Sequence, residues 1–198
     1  MISRDYGKRK KTITRTFRIN DDWDFVLNEE AERQGISANA LIDKILRRFA
    51  LFDRYTDRFE VLNLPNRIFK EVFQLMPNER LTEEGEKHGS LDAVDFFNLL
   101  GYPRDYETFI YLITEYFGSS TFSRWFQCFH HPSESQDLFH LQHNLGRKWS
   151  VFVDSYLKAI LKTITSTKVE SRIYEYAVTL RISRPQTIEG KKRSYQKK

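Results

Sequence analysis

The feature that most constrains this chain is a short β-like segment near its N-terminus with no partner strand close by in the sequence. Residues 12–19 alternate between the apolar side chains of Ile13, Phe17 and Ile19 and an opposite row of threonines ending in Arg18. This period of two, built from β-branched residues, predicts a strand. A lone strand leaves backbone groups unpaired and one face unburied. We therefore expect it to pair with the same segment of a second chain, which makes the protein a dimer.

Two amphipathic helices are predicted directly after this segment. Asn20 or Asp21 is placed to cap the first helix, and Gly35 to end it. Ser37 is placed to cap the second helix. The apolar side chains follow helical spacing, at Trp23, Val26, Leu27 and Ala31 in the first helix and at Leu41, Ile42, Ile45, Leu46 and Phe49 in the second. The order of elements is therefore strand, helix, helix.

The stretch Thr14–Phe49 resembles the ribbon-helix-helix (Arc/MetJ/CopG-like) family of transcriptional regulators. The similarity lies in the alternating strand, the acidic first helical turn and the sequence Gly-Ile-Ser-Ala-Asn-Ala-Leu-Ile at residues 35–42. The resemblance implies an antiparallel ribbon, formed by two chains, that enters the major groove of DNA. It assigns the base contacts to Thr14, Thr16 and Arg18. The other interpretation of the threonines is that they are ordinary exposed strand residues.

Contacts with the DNA backbone are expected from the start of the second helix, from the N-terminal arm and from Arg15, which stands in the strand where the family usually has an apolar residue and can reach a phosphate along the helix. The resemblance assigns phosphate binding to the start of the second helix, where free N–H groups and the helix dipole attract anions. The alternative there is that Ser37 only caps the helix. The basic N-terminal arm adds affinity that does not depend on base sequence. The predicted phosphate contacts are Lys8, Arg9, Lys10, Lys11, Arg15, Ser37, Ala38 and Asn39.

The charge is concentrated at both ends of the chain. The net charge is +5, yet residues 1–18 carry seven Lys and Arg side chains against one Asp, and residues 183–198 carry six against one Glu. Two basic ends on an acidic body favour contacts with a polyanion, although basic termini can also serve only solubility. The single cysteine excludes an intramolecular disulfide, and no apolar run approaches membrane-spanning length. We expect a cytoplasmic, nucleoid-associated protein without membrane contacts.

The rest of the chain predicts an α+β domain. We expect a flexible arm over residues 1–11, the ribbon-helix-helix domain over 12–52, a helix-rich α+β domain over 56–184 and a basic tail over 185–198. Within the second domain, residues 81–88 predict a short helix closed by Gly89, and residues 121–129 a further helix. A C-terminal β-α-β unit is predicted from a strand at 137–143, a helix at 146–165 and one long strand at 169–182.

Two groups of residues in the second domain are candidates for binding a metal ion or another ligand. Thiolate and imidazole are good ligands for zinc, nickel or copper, and five such residues lie within sixteen positions: Cys128, His130, His131, His140 and His143. The alternative is that they pack among aromatic side chains or lie on the surface, and no cofactor is otherwise predicted. Separately, Arg147 and Lys148 stand in the first turn of a helix, where cations are unfavourable. That position predicts either an acidic neighbour in the dimer or a ligand.

Together these features predict a homodimeric, sequence-specific regulator of transcription whose second domain senses an effector or builds higher oligomers. The alternative is an antitoxin-like interaction protein whose second domain binds a protein partner. An enzyme is not expected, because the chain contains no Walker loop, nucleophile elbow or metalloprotease motif.

Overall fold

The computed structural model describes residues 13–51, 53–55, 64–98, 101–118 and 125–185. The chain forms two compact units, residues 1–63 and residues 64–198. The first is helical in its described part. The second combines helices with an antiparallel sheet, so the chain as a whole is an α+β protein.

The first unit is a pair of helices with well-formed ends. Helix α1 spans Asp21–Gln34 and helix α2 spans Ala38–Leu51, followed by a 3₁₀ turn at Asp53–Tyr55. The Asn20 side chain accepts a 2.8 Å hydrogen bond from the backbone N–H of Asp22 and so caps α1. At the other end of α1, Gly35 has φ of 66°, the left-handed conformation that glycine adopts at least cost.

The predicted N-terminal strand is wrong for this chain. Residues 13–20 have no regular secondary structure, and every strand that the structure describes lies between residues 127 and 183. Those four strands pair with one another in one sheet, and residues 13–20 pair with none of them. Side chains that favour strands do not make one without backbone pairing. The ribbon that the resemblance implied is therefore not retained.

The described part of the second unit contains four helices, the second and the fourth of which are in close contact. They are α3 (Asn66–Gln74), α4 (Asn78–Asn98), α5 (Tyr106–Tyr111), which continues as a π-helical turn at Leu112–Phe117, and α6 (Arg147–Ile164). Helix α4 runs unbroken through Gly89, so the expected helix end there is wrong. A Cβ on Gly89 would lie 2.3 Å from the carbonyl oxygen of Tyr156 in α6. The glycine serves the contact between the two helices rather than a helix end.

The sheet consists of two hairpins joined by α6. Its strands are β1 (Gln127–Pro132), β2 (Gln136–Gln142), β3 (Val169–Ile173) and β4 (Ala177–Ser183), antiparallel throughout in the order β1-β2-β4-β3. The helix predicted at 146–165 is confirmed. The long strand at 169–182 is wrong, because a turn at residues 174–176 folds it into the β3–β4 hairpin. The helix predicted at 121–129 is also wrong where residues are described, since β1 begins at Gln127.

One face of the sheet forms the core of the second unit. The inward side chains of β2 and β4 are almost wholly inaccessible to water, and α6 contacts both β3 and β4. These inward residues are Asp137, Phe139, Leu141, Val178, Leu180 and Ile182. The other face carries the alternate residues of each strand.

Candidate functional site

The start of α2 is the best-formed candidate for phosphate binding. The Ser37 hydroxyl accepts a hydrogen bond from the Ala40 N–H at 3.2 Å, and the first helical bond runs from the Leu41 N–H to the Ser37 carbonyl at 3.0 Å. Ala38 is half-buried and Asn39 is exposed. Ser37 is therefore a cap, as the sequence predicts, and the cap fixes the helix end whose N–H groups would face a phosphate.

The predicted base contacts lie together on one exposed segment. Thr14, Thr16 and Arg18 are exposed, and so is Arg15, all within residues 13–20. They are not set on one face of a strand as the resemblance implied. Lys8, Arg9, Lys10 and Lys11 lie outside the described residues, as do the rest of the arm, Thr12 and residues 186–198 of the tail.

The first unit leaves most of its apolar side chains uncovered. Among its described residues, only Ala31 and Leu41 are buried apolar residues. In contrast, ten large apolar side chains are exposed: Ile13, Phe17, Ile19, Trp23, Phe25, Val26, Ile36, Ile45, Leu46 and Phe49. Two helices with so little buried apolar area do not make a core by themselves. The exposed apolar side chains are numerous enough to form one side of a protein–protein interface.

The structure does not bring the five predicted metal ligands together. Cys128, His130 and His131 lie on β1, His140 lies on β2, and His143 follows β2. The register sets Cys128 and His130 on the inward face and His131 and His140 on the opposite face. In the described parts of the chain, no group of three His, Cys, Asp or Glu side chains could hold a metal ion. We therefore propose no metal site.

The two inward members of the predicted metal set, His130 and Cys128, are poorly suited to bind a metal ion. His130 Nε2 lies 2.7 Å from Oδ1 of Asp137, and its ring stacks on Phe139 with centroids 4.4 Å apart. Burial, with a smaller effect of the nearby Glu115 carboxylate, raises the pKa of the Cys128 thiol to about 12. A thiol that stays protonated is neither a good nucleophile nor a good ligand.

Asp137 is a residue that our sequence analysis missed. Its carboxylate is wholly buried and accepts hydrogen bonds from Arg184 at 2.8 and 2.9 Å and from the Tyr106 hydroxyl at 3.0 Å, besides its contact with His130. Burial alone would raise the pKa of Asp137, but these hydrogen bonds hold it below its usual value. The sequence did contain a sign of this buried carboxylate, because Asp137 stands at an inward position of a strand whose side chains alternate between apolar and polar.

His143 is a neutral histidine at physiological pH. Burial lowers its pKa to about 4, although the charge of Glu175 opposes the shift. Its Nε2 lies 2.9 Å from the Ser150 hydroxyl, and its Nδ1 accepts a 3.3 Å hydrogen bond from the Leu145 N–H. Both ring nitrogens are thus engaged, one by the first turns of α6 and the other by the loop that leads into it.

A cleft of about 780 Å³ opens beside His143. Its described lining consists of Asn66, Gly118, Trp125, Phe126, Gln127, Cys128, Gln142, His143, Asn144 and Leu145. This lining contains four carboxamides and an indole ring, and within it there is no Asp, Glu, Lys or Arg. An uncharged, hydrogen-bonding molecule suits the described part of this wall, which offers no counter-charge to a charged ligand.

The first turn of α6 has the acidic neighbour that the sequence suggested, supplied by the same chain. The Glu175 carboxylate accepts a 3.4 Å hydrogen bond from the backbone N–H of Arg147. The Arg147 guanidinium donates to the carbonyl of Ile173, and the Lys148 ammonium donates to that of Met76. An anionic ligand is not needed to explain these cations.

Comparison with known proteins gives no relative: no family model matches the chain, and no curated protein or solved structure is significantly similar to it. Among the helices of the described residues, none is both long enough and apolar enough for a bilayer crossing. Function must therefore be argued from the geometry alone.

Proposed function

We propose that the protein is a homodimeric, sequence-specific DNA-binding regulator. The observation that carries the proposal is the first unit, which buries two apolar side chains and exposes ten in its described part. A second copy, packed against the exposed faces of α1 and α2, would cover them and complete a core. This route to a dimer does not need a paired N-terminal strand.

DNA is the partner that best fits the charge of the segment that precedes these helices in the sequence. Residues 1–18 carry seven basic side chains against one acidic side chain. Neutralising phosphates releases counterions from the duplex, and this release favours binding. The Ser37-capped start of α2 offers the N–H groups of Ala38 and Asn39 to one phosphate. Two copies in a dimer would present two such helix ends to one duplex.

Base recognition is assigned to the exposed segment before α1. An arginine can donate two hydrogen bonds to the O6 and N7 atoms of guanine, so Arg18 is the main candidate for specificity. Thr14 and Thr16 offer hydroxyl groups to base edges and methyl groups to thymine. All three side chains are exposed in the isolated chain. The proposal places the protein in the cytoplasm, with the DNA.

The second unit supplies the regulation in this proposal. The cleft beside His143 would receive an uncharged effector, held by the carboxamides and by the face of Trp125. Neutral His143 suits this role, since a charged imidazole in the wall would favour anions instead.

In the experiment, the full chain is used to select the duplexes that it binds from a random library. Its affinity for the selected duplex is then compared with its affinity for a scrambled duplex of equal length. At near-physiological salt we expect a preference of at least about a thousandfold, as is typical of sequence-specific regulators. Equal affinity for the two duplexes would overturn the proposal, because it would leave only a non-specific polyanion contact.

A further inference from the structure

The sheet of the second unit has one face that the described helices of that unit do not cover. We call it the open face and define it by two adjacent rows of paired residues. The strand register gives these rows as Phe129, His140, Thr179 and Arg172, and as His131, Leu138, Arg181 and Glu170. Each row crosses β1, β2, β4 and β3 in that order.

The two faces of the sheet differ sharply in their exposure to water. Phe139 and Leu180, on the inward face, are at most 1% exposed, whereas Phe129 on the open face is 39% exposed. His131, Arg181 and Arg172 are exposed as well. Phe129 therefore offers part of its ring to a ligand, among the polar side chains that share its face of the sheet.

The ring-bearing and the cationic side chains of the open face lie on different strands. Aromatic and imidazole rings lie on β1 and β2, where the rings of Phe129 and His140 have centroids 6.5 Å apart. The Nδ1 atom of His140 lies 3.0 Å from the Thr179 hydroxyl, which limits rotation of its ring. Cations lie on β4 and β3, at Arg181 and Arg172.

The acidic residue of the open face does not cancel these cations. Glu170 forms a 2.8 Å ion pair with Lys168, which precedes β3. Hydrogen bonding to Lys168 and the charge of Lys168 lower the pKa of Glu170, and the charges of the two arginines add to this effect. Because Lys168 already pairs with Glu170, the guanidinium groups of Arg172 and Arg181 give the β4 and β3 part of the open face a net positive charge.

We propose that the open face binds single-stranded nucleic acid. Unpaired bases stack on the rings of Phe129 and His140, while backbone phosphates contact Arg172 and Arg181. Stacking on aromatic side chains beside a cationic track is how proteins hold single strands without strict sequence preference. Neighbouring strands are about 4.8 Å apart, so a row is about 14 Å wide, enough for stacked bases beside their backbone. This site is separate from the duplex contacts proposed for the first unit.

Other occupants fit the open face less well. A second copy of the chain would need an apolar centre, but these rows contain only Phe129 and Leu138 as large apolar side chains. A duplex keeps its bases stacked within the helix, so the rings of Phe129 and His140 would have no base faces to contact. An acidic peptide would use the arginines but would leave the rings without a role.

The test measures binding of the full chain to fluorescent oligonucleotides of about a dozen thymidines or uridines, at near-physiological salt. Phe129→Ala is expected to weaken binding about tenfold, the loss typical of one stacked base, and Arg172→Ala severalfold. Two matched variants serve as controls. Tyr176→Ala removes an exposed aromatic side chain from the β3–β4 turn, and Lys162→Ala removes an exposed cation from α6, so each should bind like the wild type.

A second measurement locates the strand directly. Photo-crosslinking with a thiouridine-substituted oligonucleotide should map to the β1–β2 hairpin, residues 127–142. The proposal is overturned if Phe129→Ala and Arg172→Ala bind like their controls, or if all crosslinks fall within residues 1–18 or 186–198. Protection of the open face by a second copy of the chain would overturn it too. The face variants should keep their preference for the selected duplex, so this proposal and the proposed function can fail separately.

Discussion

The buried carboxylate of Asp137 and the guanidinium of Arg184 form a two-point ion pair, with N–O distances of 2.8 and 2.9 Å. Asp137 lies on β2, and Arg184 follows the last residue of β4. The pair therefore joins the end of the second hairpin to the first. Tyr106 and His130 complete the shell around the carboxylate.

Removing the positive partner of this pair should destabilise the second unit. Arg184→Ala leaves a buried carboxylate without its main counter-charge, and we expect a loss of about 2 kcal/mol in the free energy of unfolding, less than for a fully buried pair because the guanidinium is partly exposed to water. Urea denaturation at pH 7 measures this loss, with Arg181→Ala, at an exposed position of β4, as the control. Because the folded-state pKa of Asp137 is lowered, its stabilising effect should be present above about pH 4 and lost below it. Equal stability of the two variants would show that the pair contributes nothing.

Gly89→Ala should destabilise the contact between α4 and α6. Alanine normally favours a helix by up to about 1 kcal/mol over glycine. Here the added Cβ would meet the Tyr156 carbonyl oxygen at 2.3 Å and the Ala159 Cβ at 3.0 Å, so steric overlap should win. We expect a net loss of about 2 kcal/mol. Ser90→Ala, one residue along on the exposed side of α4, should change stability little. A stabilised Gly89→Ala variant would contradict the helix contact.

His143 should make stability depend on pH in a mildly acid range. Its folded-state pKa is about 4, below the ordinary value of 6.5 for histidine. Between these two values the unfolded chain binds more protons, so stability should fall as the pH is lowered from 6.5 towards 4. His143→Gln should flatten this part of the stability curve, measured as urea midpoints at pH 7 and pH 5. His131→Gln, at an exposed position, should leave the wild-type slope unchanged.

The proposed contacts with DNA divide into two kinds. Arg18→Ala should reduce the preference for the selected duplex over the scrambled one by about tenfold, because one bidentate base contact is lost. Lys10→Ala should weaken binding to both duplexes alike and lower the salt dependence. Arg33→Ala controls for charge, since Arg33 lies at the end of α1 and pairs with Glu30. An Arg18→Ala variant that loses affinity equally for both duplexes would contradict its role in base recognition.

The sequence predicted α6 and several helix ends correctly, because local pattern decides them. The apolar spacing of Trp149, Val153, Tyr156 and Ile160 was sufficient to place α6, and Asn20, Gly35 and Ser37 marked three helix ends that the structure confirms. The β3–β4 turn escaped notice because Tyr174, Glu175 and Tyr176 include none of the residues that usually mark a turn.

Features that depend on contacts distant in sequence could not be predicted. Gly89 looked like a helix end, because only the position of α6 shows why a Cβ is excluded there. The histidines looked like a metal set until the strand register separated His130 from His140. The N-terminal strand was predicted from side-chain propensity, which says nothing about whether a partner strand is present.

The most direct test of the central claim is the mass of the full chain in solution, by light scattering during size-exclusion chromatography, together with its binding to the selected duplex. We predict a mass twice the 23.7 kDa of one chain. Leu46→Glu combined with Phe49→Glu, both on the exposed side of α2, should reduce the mass to that of one chain and abolish preference for the selected duplex. A wild-type protein with the mass of one chain that still prefers the selected duplex would contradict the account.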